Sequence, residues 1–389
     1  MSDNVPSDIQ TAIIKLLPIK SLLRFRQVSK SWKSLIDSSD FIANYHFSNA
    51  PLQHHVLVRY VDSKNETYIS IVDDDDDNFP QNKVPLIVPS DVSLLGKFPN
   101  IIGSSQGVLC LCVIPQISVD FMPFSCRMNT FVLWNPTIRK SVRIVVPNAL
   151  NNSEYETVVG FGVCPGTSDP KLVKITYSSS WQFKPEKCIP LQVELFSLSS
   201  RSWRSLSMNV PRKSIKLTWS QVCIDKFIYW VATDWTCVGQ TTQTKNLILS
   251  FDMTTEEFTE IDLQNNLACI YNGLLHLFKL QTSLVVLETV YTETQEEYCV
   301  WRMEHGVPNS FTKLFVIKSP FESLQIEKVH DFRKTGEPII EMMHDYNYVQ
   351  NAIFVYEPRS EEINDTGIAG GGYECLAKSY IETLLLLDQ

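Results

Sequence analysis

The residue types able to do chemistry are scattered along this chain. Seven histidines stand at positions 46, 54, 55, 276, 305, 330 and 344, and only His54 and His55 are adjacent. No His-x-x-x-His element occurs, and Gly-x-Ser-x-Gly spacing is met once, at Gly103-Ser-Ser-Gln-Gly107, where a β-rich run and not a helix follows. Those spacings would place two imidazoles on one helix face for zinc, or a nucleophilic serine on a sharp turn. The ten cysteines, at 110, 112, 126, 164, 188, 223, 237, 269, 299 and 375, include no Cys-x-x-Cys pair. Cys110 and Cys112 have strand spacing, and the set reads as small hydrophobes in a reducing compartment. With 43 Asp and Glu, carboxylate pairs occur everywhere and single out no acid–base dyad. The run Asp73–Asp77 lacks the spaced ligands and the glycine of a calcium loop, and reads as a solvated turn. The pattern predicts no catalytic residue, no cofactor and no metal.

The elements that would position any site come next. The 389 residues exceed what one core usually holds, and 44% hydrophobic with 20% charged residues is a globular composition. A net charge of −9 repels phosphate backbones and argues against nucleic acid as a partner. No run of apolar residues is long enough to span a membrane. The polar start lacks the pattern of an export signal, so a cytoplasmic or nuclear location is expected and the sequons at Asn65, Asn152 and Asn364 are read as chance. Six Lys and Arg against four Asp give residues 1–47 a charge of +2, which leaves −11 for the rest. A small basic head precedes a large acidic body.

The head reads as three short helices. Ser7 and Gln10 have capping-box spacing, and Ile9, Ile13, Leu16 and Leu17 share one helical face. Pro18 ends that helix, Ser21 is placed as the cap of the second, and Ser29 as the cap of the third. Leu23, Phe25 and Leu35 are expected inside. A unit this small holds a marginal core, so its surplus apolar residues should face a partner.

From His55 onward the period changes to short β-rich runs such as Val108–Ile114, Phe227–Ala232 and Ala352–Tyr356. One theme recurs: an apolar strand, a small turn, a polar link and a second strand with an aromatic residue. Copies surround Trp134, Phe196, Phe251, Trp301 and Tyr356. Each follows another apolar strand, which suggests four-stranded units repeated radially, a β-propeller. Five units are countable, and the strands Val56–Val72 and Leu376–Leu387 would together make a sixth. Two stacked sheets are the alternative architecture.

These residues resemble the plant F-box family that carries a kelch-like F-box-associated domain. In the head the resemblance rests on Val5-Pro6, Leu17-Pro18, Lys20–Arg26, Val28–Trp32 and Ser34–Ile36. In the body it rests on Gly103–Leu111, Leu133–Pro136, Gly160-Phe-Gly162, Val193–Trp203, Ile248–Asp252 and Ala377–Leu387. Ala12 and Leu16 depart from the family pattern at positions read as surface. The resemblance implies an F-box domain over 1–47 and an all-β, propeller-like interaction domain of about six blades over 48–389, with 73–90 a flexible acidic loop. It implies a non-catalytic, substrate-recognising subunit of an SCF-type ubiquitin ligase. The head would dock on a Skp-type adaptor, and through it on a cullin scaffold, while the body holds a target protein. The family's adaptors are acidic, which suits the basic head. Pro6, Ile9, Ile13, Ile14, Leu17, Pro18, Leu22, Val28 and Trp32 are the expected adaptor-facing or supporting residues. Target contacts are expected on one propeller rim, in the insertions 115–127, 178–190 and 234–244, with Phe124, Trp181 and Trp235 as candidates. A propeller scaffold with a degenerate F-box that enters no ligase is the alternative.

Overall fold

The computed structural model describes residues 6–38, 40–42, 45, 54–61, 66–74, 79, 83–95, 100–112, 130–146, 155–178, 192–207, 211, 214–238, 241–270, 275–293, 295–304, 309–319, 325–343, 351–369, 375–385 and 387. Among them no helix is long and apolar enough to cross a membrane. The head forms α1 (Ser7–Lys15), α2 (Ile19–Phe25) and α3 (Lys30–Ile36). Ser29 caps α3 as expected, its hydroxyl accepting the Trp32 amide at 3.2 Å. The other two caps differ from expectation. Pro6 and Pro18 hold the N-cap positions of α1 and α2, with φ of −52° and −58°, and Ser7 and Ser21 lie inside the helices. A proline ring pre-sets φ and has no amide to satisfy, so it enters a helix cheaply.

The body is six four-stranded antiparallel sheets. Blade 1 takes β1 (His54–Val61), β2 (Thr67–Asp73) and β3 (Val84–Pro85). Blade 2 is β4 (Asn100–Ser105), β5 (Val108–Cys112), β6 (Thr130–Asn135) and β7 (Lys140–Val145). Blade 3 is β8 (Tyr155–Cys164), β9 (Asp169–Ser178), β10 (Gln192–Ser197) and β11 (Ser202–Leu206). Blade 4 is β12 (Ile215–Ile224), β13 (Phe227–Val238), β14 (Thr241–Asp252) and β15 (Phe258–Asp262). Blade 5 is β16 (Leu275–Leu280), β17 (Ser283–Tyr291), β18 (Glu296–Met303) and β19 (Phe311–Ile317). Blade 6 is β20 (Ile326–Phe332), β21 (Pro338–Met343), β22 (Asn351–Glu357) and β23 (Glu362–Ala369). The last strand, β24 (Leu376–Ile381), completes blade 1 by pairing with β1, from His54 opposite Ile381 to Arg59 opposite Leu376. The ring is therefore closed by its two ends, and the sixth unit expected from both ends is this blade. Short helices α4 (Ser90–Ser93) and α5 (Asn265–Ala268) lie on links between blades.

The recurring aromatic theme is the third-to-fourth strand hairpin. Phe196 pairs with Trp203 and Phe251 with Phe258, with ring centroids 5.4 and 4.8 Å apart. Apolar side chains fill the spaces between neighbouring blades, as in the cluster that joins Phe131 and Leu133 of blade 2 to Phe161 and Phe196 of blade 3. Gly160 is needed for this packing: a Cβ there would lie 2.1 Å from the Trp230 ring. Gly107, at φ +75°, lets the β4–β5 turn approach the Ile381 carbonyl, where a Cβ would stand 2.3 Å away.

The acidic run is partly structural. Asp74 is buried and accepts from Arg333 Nε at 2.8 Å and from the Lys334 amide at 2.7 Å, which ties blade 1 to blade 6. Within the expected loop 73–90 the chain forms β3 and enters α4, while Asp75–Asp77 lie outside the described residues. Cys110, Cys112, Cys164, Cys223, Cys299 and Cys375 are buried free thiols, and Cys269 is an exposed one. Burial and the neighbouring Cys112 push the Cys110 thiol well up, so it stays protonated.

Candidate functional site

The head has a small core that is not made by the head alone. Ile14, Ile19, Leu22, Ile36, Phe41, Ile42 and Tyr45 pack together with Leu384, and Ile138 of the β6–β7 turn joins them. Leu384 lies beyond β24 and is 2% exposed. Its segment is anchored on blade 2, where Asn135 Nδ2 donates to the carbonyls of Thr383 at 3.2 Å and Leu385 at 2.9 Å. Inside the head, Arg26 clamps Asp37 with two bonds of 2.5 and 2.9 Å, and Tyr45 Oη donates to the Leu17 carbonyl at 2.8 Å. Leu23, Phe25, Leu35 and Trp32 are half-buried against this core, with Phe25 and Trp32 stacked at 5.2 Å.

The expected adaptor-facing residues divide accordingly. Ile14 and Leu22 are fully interior and can only support the surface. Leu17 and Trp32 are half-buried, and Pro6 and Pro18 are exposed. Ile9, Ile13 and Val28 are 52%, 45% and 70% exposed. Leu16, passed over in the sequence as a departure from pattern, is the most exposed large apolar residue of the head at 77%. Ile9, Ala12, Ile13 and Leu16 follow i, i+3, i+4, i+7 spacing, so α1 turns an apolar stripe outward. The exposure of Ala12 and Leu16 agrees with their reading as surface positions.

The propeller's two faces are unlike. The inner strands β4, β8, β12, β16, β20 and β24 contact one another around the axis. The face where they end carries tight turns, such as 106–107, 136–139 and 225–226, several with a non-glycine residue at positive φ (Gln106, Arg139, Asp225). The head packs on this face, through Ile138 and the segment after β24. On the opposite face the second strands end and the third strands begin, at Cys112 and Thr130 in blade 2 and at Ser178 and Gln192 in blade 3. All three expected insertions fall between these two strands, in blades 2, 3 and 4. Phe124 and Trp181 lie outside the described residues. The third insertion is not a loop. Trp235 pairs with Thr244 and Val238 with Thr241, so 234–244 is a β-hairpin that lengthens β13 and β14. Trp235 is half-buried, its amide bonded to the Ser214 carbonyl at 2.8 Å.

A channel of about 1130 Å3 runs along the axis, lined by residues of the inner strands that include Ile102, Trp219, Gln221, His276, Glu327 and Lys378. Among the described residues no group of three or more His, Cys, Asp or Glu has the arrangement of a metal site.

A family model of the F-box domain matches residues 2–44, and one of the F-box associated beta propeller domain matches residues 121–361. The chain belongs to the F-box proteins with an F-box-associated β-propeller. The Arabidopsis thaliana F-box protein family member At1g47790 is 24% identical over 349 residues, spanning 86% of this chain and 78% of the relative. The Arabidopsis thaliana F-box/kelch-repeat protein At3g23880 is 24% identical over 66% of this chain and 65% of the relative. Among solved structures, the β-propeller domain of the Trilobed protease from Pyrococcus furiosus aligns with a TM-score of 0.34 at 12% identity, over 69% of each chain. That likeness is too weak to say anything about activity. In this F-box protein the F-box is the helical head, and its core is completed by the end of the propeller.

Proposed function

We propose that this chain is the substrate-recognition subunit of an SCF-type ubiquitin ligase. In this reading residues 1–47 dock on a Skp-type adaptor, which links them to a cullin scaffold, and residues 48–389 present a target protein. The thioester chemistry then belongs to other subunits, and this chain acts without catalytic residues of its own. The observation that carries the reading is the placement of two unlike surfaces on opposite sides of one body. The outward stripe Ile9, Ile13 and Leu16, with Val28, is available to an adaptor, because the F-box core is already closed by Leu384 on its other side. Apolar anchors of this kind dominate interface affinity. Lys20, Arg24, Lys30 and Lys33 beside them suit an acidic partner. The second strands of blades 2 and 3 end, and their third strands begin, on the far face, so a target held by residues between them would not obstruct the adaptor.

The test is co-purification with a recombinant Skp-type adaptor. Wild-type chain should be captured stoichiometrically. An Ile9→Ser/Ile13→Ser variant should lose capture while its melting curve stays put, since both side chains are exposed. Failure of wild type to bind a panel of such adaptors would reject the reading. Deleting 179–191 should abolish target capture and leave adaptor capture intact.

A further inference from the structure

The channel contains a feature that neither adaptor docking nor rim recognition uses. The pairing of β12 with β13 is broken by a bulge between Leu217 and Gln221, and such bulges re-aim side chains beside binding sites. The residue re-aimed here is Trp219. Trp134 and Trp230 are sealed between blades at 1% and 0% exposure, whereas Trp219 keeps 36% and lines the channel. Its neighbours are pinned. Ser220 Oγ accepts the Leu277 amide of β16 at 2.7 Å. Gln221 Nε2 donates to the Ile102 carbonyl of β4 at 2.5 Å, and its Oε1 accepts from the Phe161 amide of β8 at 3.4 Å. The indole is thus presented by a backbone tied to three other blades, a pre-organised platform.

The charges at this end of the channel select the ligand. Glu327 and Lys328 of β20, His276 of β16, and Tyr291 and Glu296 of the β17–β18 hairpin line it near the face where the inner strands begin. Tyr291 is 62% exposed, and Glu296 accepts from Tyr298 Oη at 3.1 Å. Glu327 is exposed to the channel, and its partial desolvation, with the like charges of Glu341 and Glu296, raises its proton affinity. Lys328 opposes these carboxylates. Burial, helped by the Lys328 charge, holds His276 below its ordinary value, so that imidazole is neutral at pH 7. Exposed aromatic rings beside crowded carboxylates, in a walled cavity of a chain with net charge −9, suit an organic cation.

We infer that this end of the channel binds a guanidinium or alkylammonium group, stacked on Trp219 and neutralised by Glu327 and Glu296. The group could arrive on an arginine or lysine side chain of a bound protein or as a free amine. The two sources share this chemistry and are separated by the test.

The full chain is titrated calorimetrically and by tryptophan fluorescence with N-acetyl-arginine methylamide, with agmatine, and with the neutral citrulline counterpart of the first. Saturable binding of the arginine probe or of agmatine is expected, at least about tenfold tighter than the citrulline compound, the factor for one charge-assisted contact of about 1.4 kcal/mol. Glu327→Gln and Trp219→Ala should each weaken it about tenfold. Preference for the blocked amino acid indicates a protein side chain, and preference for agmatine a free amine. No saturable binding of either cation, equal binding of citrulline, or wild-type affinity in Glu327→Gln would overturn the inference. Glu327→Gln is isosteric and exposed, so it decides the matter even where Trp219→Ala fails to fold. Adaptor capture is read on the same samples and should not change, which separates this result from the ligase reading.

Discussion

Truncating Leu384 to alanine should unfold the F-box and leave the propeller standing. The residue is 2% exposed and packs with Ile14, Leu22, Ile36 and Tyr45, although it follows them by more than three hundred positions. Leu→Ala changes in such sites remove about 2–5 kcal/mol, the transfer term plus the cavity left behind. A helical unit of this size holds only about 3–5 kcal/mol of its own. A loss of about 3 kcal/mol lowers the folded-to-unfolded ratio of the F-box by roughly 150-fold. The nearby Lys20–Glu382 contact, at 3.9 Å with Lys20 mostly exposed, adds little and should not rescue it. Native-state hydrogen exchange reads the two parts separately. Amides of α1–α3 should lose protection in the variant, while those of β13 and β14 keep theirs, and adaptor capture should fall in parallel. Unchanged α1–α3 protection, within about 0.5 kcal/mol, would refute the idea that the end of the chain completes the F-box core.

Three further outcomes follow from particular contacts. Burial alone would raise Glu341, but the hydrogen bond and charge of His330, with the Cys375 amide and Asn351, hold it below the usual carboxylate range. A depressed carboxylate contributes stability above its unfolded value of 4.5 and loses it as pH falls through the lower folded value. Glu341→Gln should therefore flatten the acid limb of the stability–pH curve, and an unaltered limb in urea titrations would contradict this. Gly160→Ala should destabilise the blade 3–blade 4 packing by about 1–3 kcal/mol because its methyl meets the Trp230 ring, seen as a lower urea midpoint; a midpoint equal to wild type would show that the ring can move. Asn135→Ala removes the amide that holds Thr383 and Leu385, at about 1–3 kcal/mol, and should speed exchange in α1–α3 as well as in β6, whereas an effect confined to β6 would mean that the terminal segment holds without it.

Much of this architecture is readable residue by residue because its causes are local. Short runs rich in β-branched and aromatic residues, bounded by turn residues, mark the strands, and the five aromatic copies mark third-to-fourth strand hairpins. Ser29 before Trp32 announces a cap, and Leu17-Pro18 announces a helix end. Capping propensity points to Ser7 and Ser21, but the fixed φ of proline decides the helix starts, and Pro6 and Pro18 hold the caps. The hairpin at 234–244 looks like an insertion in the sequence because its polar, threonine-rich run carries no core-facing pattern.

The amino-acid order by itself determined the helical head, the four-stranded repeat, the closing of the ring by its two ends and the apolar surplus that calls for a partner. Tertiary structure alone decided that Ile14 and Leu22, among those apolar residues, face inward. Ile14 and Leu16 differ by two positions and read alike in hydropathy, yet one is sealed under Leu384 and the other is solvent-exposed. It also decided that the F-box sits on the tight-turn face, opposite the ends of the second strands, and that Trp219 enters the channel while Trp134 and Trp230 pack between blades. The physical reason is the same in each case. Periodicity fixes which residues share a side of an element, but the direction of that side is set by what the closed ring brings against it from distant parts of the chain.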